Sequence, residues 1–197
     1  MKLIDRLLQR WRISIALRYI PARSRVLDIG CFNGEFFKYA GSHLRSGLGI
    51  DPAPAVTDTA AANTVVLKGF FPADIPAGTE KFDVITALAV LEHIPAENLA
   101  DFAEACYDWL NSGGKVILTV PSPFVDKILA VLLKLRLIDG MSLEEHHGFS
   151  LGGIPGLFEN ANFVLIKHST FQLGLNNLFL FVKSAKRENI TGERNDN

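Results

Sequence analysis

The chain has 197 residues, 48% of them apolar, with 20 basic against 21 acidic side chains and a formal charge of −1. That length suits one domain with a full core, and the near balance argues against a disordered chain or a general nucleic-acid binder. The two cysteines, Cys31 and Cys106, are isolated, which argues against a disulfide framework or a structural metal site and points to a reducing, cytoplasmic setting.

In chain order, the first 22 residues form a unit of their own, an amphipathic helix over 2–20 ended by Pro21. Residues 1–25 carry seven basic side chains against Asp5 alone, and Leu3, Leu7, Leu8, Trp11, Ile15 and Tyr19 supply an apolar face. Such a helix either lies on an anionic membrane surface or roofs a pocket with solvated arginines, and the roof is favoured. Charges at Asp5, Arg6, Arg10 and Arg12 interrupt any secretory-type apolar run.

Residues 23–183 read as alternating strands and helices. Strands are expected at 25–29, 47–51, 64–67, 82–87 and 115–120, with helices at 35–43, 54–62 and 96–110. Pro95 sits in the first turn of the last of these helices, where its missing N–H is harmless. Ser112-Gly113-Gly114 is expected to stop it. An apolar segment at 123–138 reads as a further helix, and with Lys134 and Arg136 inside it falls short of a membrane span. A polar link then carries His146 and His147, Ser150 caps a helix running to Asn160, and strands at 163–167 and 177–183 close the pattern. Residues 184–197 form a polar tail.

The most informative stretch is Val26-Leu27-Asp28-Ile29-Gly30-Cys31-Phe32-Asn33-Gly34-Glu35. A buried strand runs into a turn whose glycines admit positive φ and close approach of a ligand, and a helix starts directly behind it. That combination places a nucleotide-type site at the carboxyl end of a sheet. The second strand ends in Asp51, 23 residues after Asp28, where a carboxylate accepts hydrogen bonds from ribose hydroxyls. Downstream come Phe82-Asp83-Val84-Ile85-Thr86-Ala87-Leu88, running on to Leu91-Glu92-His93, and Leu110 to Pro121.

These four blocks, in this order, resemble the class I S-adenosylmethionine-dependent methyltransferases, over roughly residues 24–183. The first block departs from the family frame of Asp/Glu-x-Gly-x-Gly-x-Gly, because Phe32 stands at the middle glycine. The resemblance implies an α/β, Rossmann-like, seven-stranded and mostly parallel sheet with a reversed C-terminal hairpin and helices on both faces. It implies S-adenosylmethionine as the methyl donor. Backbone of Gly30, Cys31 and Asn33 would approach the methionine moiety, and Gly34 would let the turn pack. Asp28 would meet the methionine ammonium or organise the loop, and Asp51 would hold the ribose. Pro52 would flank the adenine. Phe70 and Phe71 lie where many relatives put an acidic residue against the adenine amino group, so apolar packing is expected there. Ala87 and Leu88 would supply backbone near the methionine.

A sulfonium-bound methyl is already activated, so aligning an acceptor suffices and neither a metal nor a covalent nucleophile is called for. Cys31 in the turn is expected to pack. The general-base candidates are His147, within a His-x-x-Phe-Ser-like segment that overlies the pocket in small-molecule members, and His93 after the fourth strand. The N-terminal helix, the 123–138 segment and the histidine link are not needed to complete the sheet. They are expected to roof an acceptor pocket for a small or lipid-linked molecule, with a dimer interface as the other use of the apolar segment. The Ala87-Leu88-Ala89-Val90 run lacks the polar, proline-containing motif of amino-acceptor enzymes.

Overall fold

A computed structural model describes residues 3–54, 61–122 and 151–185, with side chains from residue 6 onward. The expected helices over 54–62 and 123–138, the link carrying His146 and His147, the Ser150 cap and most of the polar tail therefore lie wholly or mainly outside the described residues.

The chain opens with helix α1 (Leu3–Leu17), followed by β1 (Arg25–Ile29), α2 (Glu35–Ala40), β2 (Ser46–Asp51), β3 (Thr64–Lys68) and β4 (Phe82–Leu88). Then come α3 (Leu99–Trp109), β5 (Leu110–Pro121), α4 (Ile154–Asn160), β6 (Phe163–Phe171) and β7 (Asn176–Lys183). The strands form one sheet in the order β3-β2-β1-β4-β5-β7-β6. The first five are parallel, while β7 runs antiparallel to β5 and β6 antiparallel to β7. This is the expected sheet with its reversed hairpin. The order reverses between β1 and β4, and an open sheet of this kind holds its ligand there, beyond the carboxyl ends of those strands.

Burial follows from the sequence pattern. β1 and β4 are apolar runs enclosed on both sides, as central parallel strands must be. One face of the sheet packs Leu27, Ile85 and Leu118 against Phe102, Cys106 and Phe158 of α3 and α4. On the other face Val26, Val84, Ile117 and Leu180 meet Phe36 and Phe37 of α2 and Ile13, Ala16 and Ile20 of the N-terminal segment. The N-terminal helix is thus built into the second core.

Several boundaries differ from expectation. The helix behind the glycine turn ends at Ala40, and Gly41 (φ 52°) opens a separate 3₁₀ turn through His43. Helix α3 stops at Trp109, because Leu110 is already extended and pairs with Phe82. The Ser112-Gly113-Gly114 turn is therefore a feature of the start of β5, not the helix stop. β6 runs on to Phe171 because its whole length pairs with β7, across a register shift between Leu165 and Lys167.

Candidate active site

The glycine turn is left-handed at alternate residues. Gly30 has φ 71° and Gly34 φ 67°, and between them Phe32 adopts φ 43°. A non-glycine residue there costs about 1–2 kcal/mol, so neighbouring contacts must hold it. Asp51 is one such contact: its Oδ2 accepts the Phe32 N–H at 2.9 Å while Oδ1 accepts the Ala53 N–H at 2.8 Å. The Cys31 carbonyl accepts the Gly34 N–H at 2.8 Å. Phe32, at the position of the family frame's middle glycine, thus adopts a glycine-like φ, and the residue is 49% exposed.

Gly30 has a second reason to be glycine, because a Cβ there would come within 2.5 Å of Val90 Cγ2. The Cys31 side chain fills space against Gly49, whose added Cβ would lie 2.6 Å from Cys31 Sγ. Burial pushes the Cys31 thiol far above its ordinary value, with the charges of Asp28 and Asp51 adding to the effect. It is a packing residue and not a nucleophile.

Asp28 is 4% exposed and accepts the Thr86 hydroxyl at 2.7 Å. Burial raises its carboxyl from 3.8 to about 7; the Thr86 bond opposes the rise and the Asp51 charge adds to it. Two carboxyl groups thus face the carboxyl ends of β1 and β2, one pinning the turn and one poised near neutrality.

A crevice of about 60 Å³ joins Asp28, Gly30, Cys31, Phe32 and Leu88 under Gln9, Arg12 and Ile13 of α1. Burial pulls the half-buried Arg12 guanidinium below its ordinary value, and the charge of Glu92 opposes that shift. Asn33 lies around the corner, with Oδ1 accepting the Glu35 N–H at 3.2 Å. Gln9 and Arg12 escape a reading of the sequence that treats α1 as a basic helix with a solvated polar face. The available signal was their spacing: Gln9, Arg12, Ile13, Ala16 and Ile20 fall on one stripe, so two polar residues interrupt the buried face.

The remaining expected residues are placed as follows. Ala87 is buried opposite Ile29, and Pro52 is exposed just beyond Asp51. Phe71 turns inward against Phe102, with ring centroids 5.7 Å apart, while Phe70 stays 67% exposed, so the two aromatics divide core and surface between them. His93 is exposed on the 3₁₀ turn Leu91–His93 and lies outside the crevice lining. His147 lies outside the described residues. Among the described residues no cluster of side chains suits a metal ion, and no helix is long and apolar enough to cross a membrane.

The architecture has many solved counterparts. An N-methyltransferase, NodS, from Bradyrhizobium japonicum WM9 superposes with a TM-score of 0.67 at 17% identity, covering 93% of this chain and 100% of that one. The cyclopropane synthase MmaA2 from Mycobacterium tuberculosis gives 0.67 at 15% identity, over 89% and 84% of the two chains. Magnesium protoporphyrin IX methyltransferase (ChlM) from Synechocystis PCC 6803, solved with bound SAH, gives 0.64 at 16% identity over 89% and 83%. At such identities the likeness establishes the fold alone. No curated protein matches the chain in sequence. The family profile described as a methyltransferase domain, however, matches residues 2–168, which takes in α1, the glycine turn and most of the sheet. The chain belongs to the class I S-adenosylmethionine-dependent methyltransferase family.

Proposed function

We propose that the protein is an active methyltransferase that transfers a methyl group from S-adenosylmethionine to a small or lipid-associated acceptor. The observation that carries the donor half is the pairing of Asp51 with the glycine turn. Each Asp51 oxygen accepts one backbone N–H, and a carboxylate oxygen has room for a second donor. Two ribose hydroxyls therefore fit without displacing the bonds that shape the loop. Asp28, at the foot of the crevice, is the group to meet the methionine ammonium, and Arg12 is the cation that shares this crevice. Pro52 and Phe70, which is 67% exposed, would flank an adenine beyond Asp51. The fit has one condition. A crevice of about 60 Å³ is well under the roughly 300–1,000 Å³ of ordinary ligand pockets, so Gln9 and Arg12 must swing outward for the donor to enter.

When bound, the donor supplies a sulfonium-activated methyl, and the protein's part is alignment and exclusion of water. Gly30 and Leu88 would form the floor, with α1 above them. A base at His147, with His93 as the second candidate, would accept a proton from a hydroxyl acceptor; an amine acceptor would need positioning only. Cys31 and Cys106, both buried and unpaired with each other, suit a reducing cytoplasm.

The test is titration calorimetry with S-adenosylmethionine and S-adenosylhomocysteine, followed by transfer of labelled methyl to quinone precursors, lipid-linked sugars and cell-extract fractions. Saturable binding and label in a small-molecule fraction are expected. No binding of either compound would overturn the donor reading and leave a non-catalytic module of the same fold. Label confined to protein or nucleic acid would move the acceptor to a macromolecule.

A further inference from the structure

A second cavity, of about 330 Å³, lies beside the first, between α1 and the first turn of α2. Its walls are Arg6, Gln9 and Arg10 from the helix and Asn33 and Glu35 from the end of the glycine turn. Alignment of the methyl donor over Asp28 and Gly30 makes no use of the two arginines. Arg6 and Arg10 stand one helical turn apart, so both guanidinium groups leave the same face. Arg10 lies over the Tyr39 ring, 5.3 Å from its centroid, which restrains it at the rim. Glu35 is the acidic residue of the wall, and Lys38 Nζ stands 3.4 Å from its Oε1. The cavity is therefore net positive, and because the Asn33 amide donates to Glu35 Oε1 at 3.4 Å, the donors left for a ligand are Gln9 and the two guanidinium groups. Two planar forks with one side-chain amide beside them match the several acceptor oxygens and double charge of a phosphate.

We propose that this cavity is a phosphate subsite, which seats a phosphate-bearing acceptor next to the donor crevice. The two cavities share Gln9 and Glu35, so a group held in one borders the other. As an acceptor subsite it rests on the methyltransferase reading above; as an anion site it does not. The phosphate belongs either to a lipid headgroup at a membrane surface or to an acceptor that arrives singly. Leu7 and Trp11, 53% and 45% exposed on the neighbouring strip of α1, would meet the apolar part of either.

The experiment titrates the full-length protein at low salt with inorganic pyrophosphate, followed by tryptophan fluorescence. In parallel, the protein is floated with phosphatidylglycerol or phosphatidylcholine vesicles. Pyrophosphate is expected to bind saturably, about tenfold more weakly after Arg6→Gln or Arg10→Gln and about a hundredfold more weakly after both. Arg18→Gln, an exposed charge in the turn just after α1 and outside the cavity, should leave binding unchanged, and the affinity for S-adenosylhomocysteine should hold in every variant. Flotation with phosphatidylglycerol that the double variant abolishes would assign the phosphate to a lipid headgroup. Pyrophosphate binding without flotation would assign it to an acceptor entering alone. No saturable binding, equal binding by the double variant, or equal loss in Arg18→Gln would overturn the proposal. Loss of S-adenosylhomocysteine binding by the wild type, with pyrophosphate binding intact, would strike the donor reading and leave the anion site standing.

Discussion

Asp28 is expected to couple folding, and on the proposed function donor binding, to pH, and the size of that coupling follows from its surroundings. The carboxyl is buried at the end of β1 and held at about 7 against an ordinary value of 3.8. A raised acid means that the folded state prefers the proton. The stabilisation is therefore fully present below pH 4 and is lost as the pH climbs through 7. Between pH 5 and pH 8 the loss amounts to about 3 kcal/mol, at 1.36 kcal/mol for each unit of displacement. Asp28→Asn keeps the shape and an oxygen for the Thr86 hydroxyl and removes the titration. Urea unfolding at the two pH values should therefore show the wild type losing about 3 kcal/mol more than the variant. Donor binding should run the other way, because an ammonium is held by the ionised form. Affinity for S-adenosylhomocysteine should rise about tenfold from pH 6 to pH 7.5, a window in which an α-amino group stays largely protonated. The rise should vanish in Asp28→Asn. Calorimetry in two buffers of different ionisation enthalpy would show proton release on binding in the wild type alone. If wild-type affinity were flat over this window with no proton release, Asp28 would not ionise in the complex and its place beside the ammonium would be refuted.

Other outcomes follow from the same geometry. Asp51→Ala should weaken S-adenosylhomocysteine binding by more than the roughly 1–3 kcal/mol of lost ligand hydrogen bonds, because it also releases the Phe32 and Ala53 N–H groups. Calorimetry checks this, and wild-type affinity would remove Asp51 from the site. Gly30→Ala meets Val90 Cγ2 at 2.5 Å and forces alanine to φ 71°; a loss of at least about 1–2 kcal/mol in unfolding free energy is expected, and unchanged stability would contradict the turn geometry. Cys31 and Cys106 are both buried with thiols pushed well up, so an aromatic disulfide reagent should label neither until urea unfolds the protein. His147→Ala should cut turnover on a hydroxyl acceptor by about 10²–10⁴ while leaving donor affinity intact; full turnover at saturating donor would leave His93 or simple positioning.

Local and tertiary information divide unevenly along this chain. Val26 to Ile29 and Phe82 to Leu88 were legible as central strands because a strand buried on both faces must be apolar at successive positions. The placement of Asp28, the glycines and Asp51 was legible because backbone approach to a ligand restricts residue type at a few fixed positions. Short-range patterning does not carry the lengths of β5 and β6, since strand ends are set by the partner: Leu110 is extended because it pairs with Phe82, and Phe171 because it pairs with Asn176. The conformation of Phe32 was hidden as well, because a bulky residue at φ 43° is held by the Asp51 carboxylate from another strand. The roof was the least legible part. Arg12 and Gln9 look like the polar face of a surface helix until Ile13, Ala16 and Ile20 are packed on the sheet, and that docking turns the same stripe over the crevice. Sequence alone marked the central strands and the motif proposed to bind the donor, whose residue types answer to local backbone demands. Tertiary structure decided which charges are buried, what each of the two carboxyl groups meets, and which helix closes over Asp28, because each depends on groups far apart in the chain.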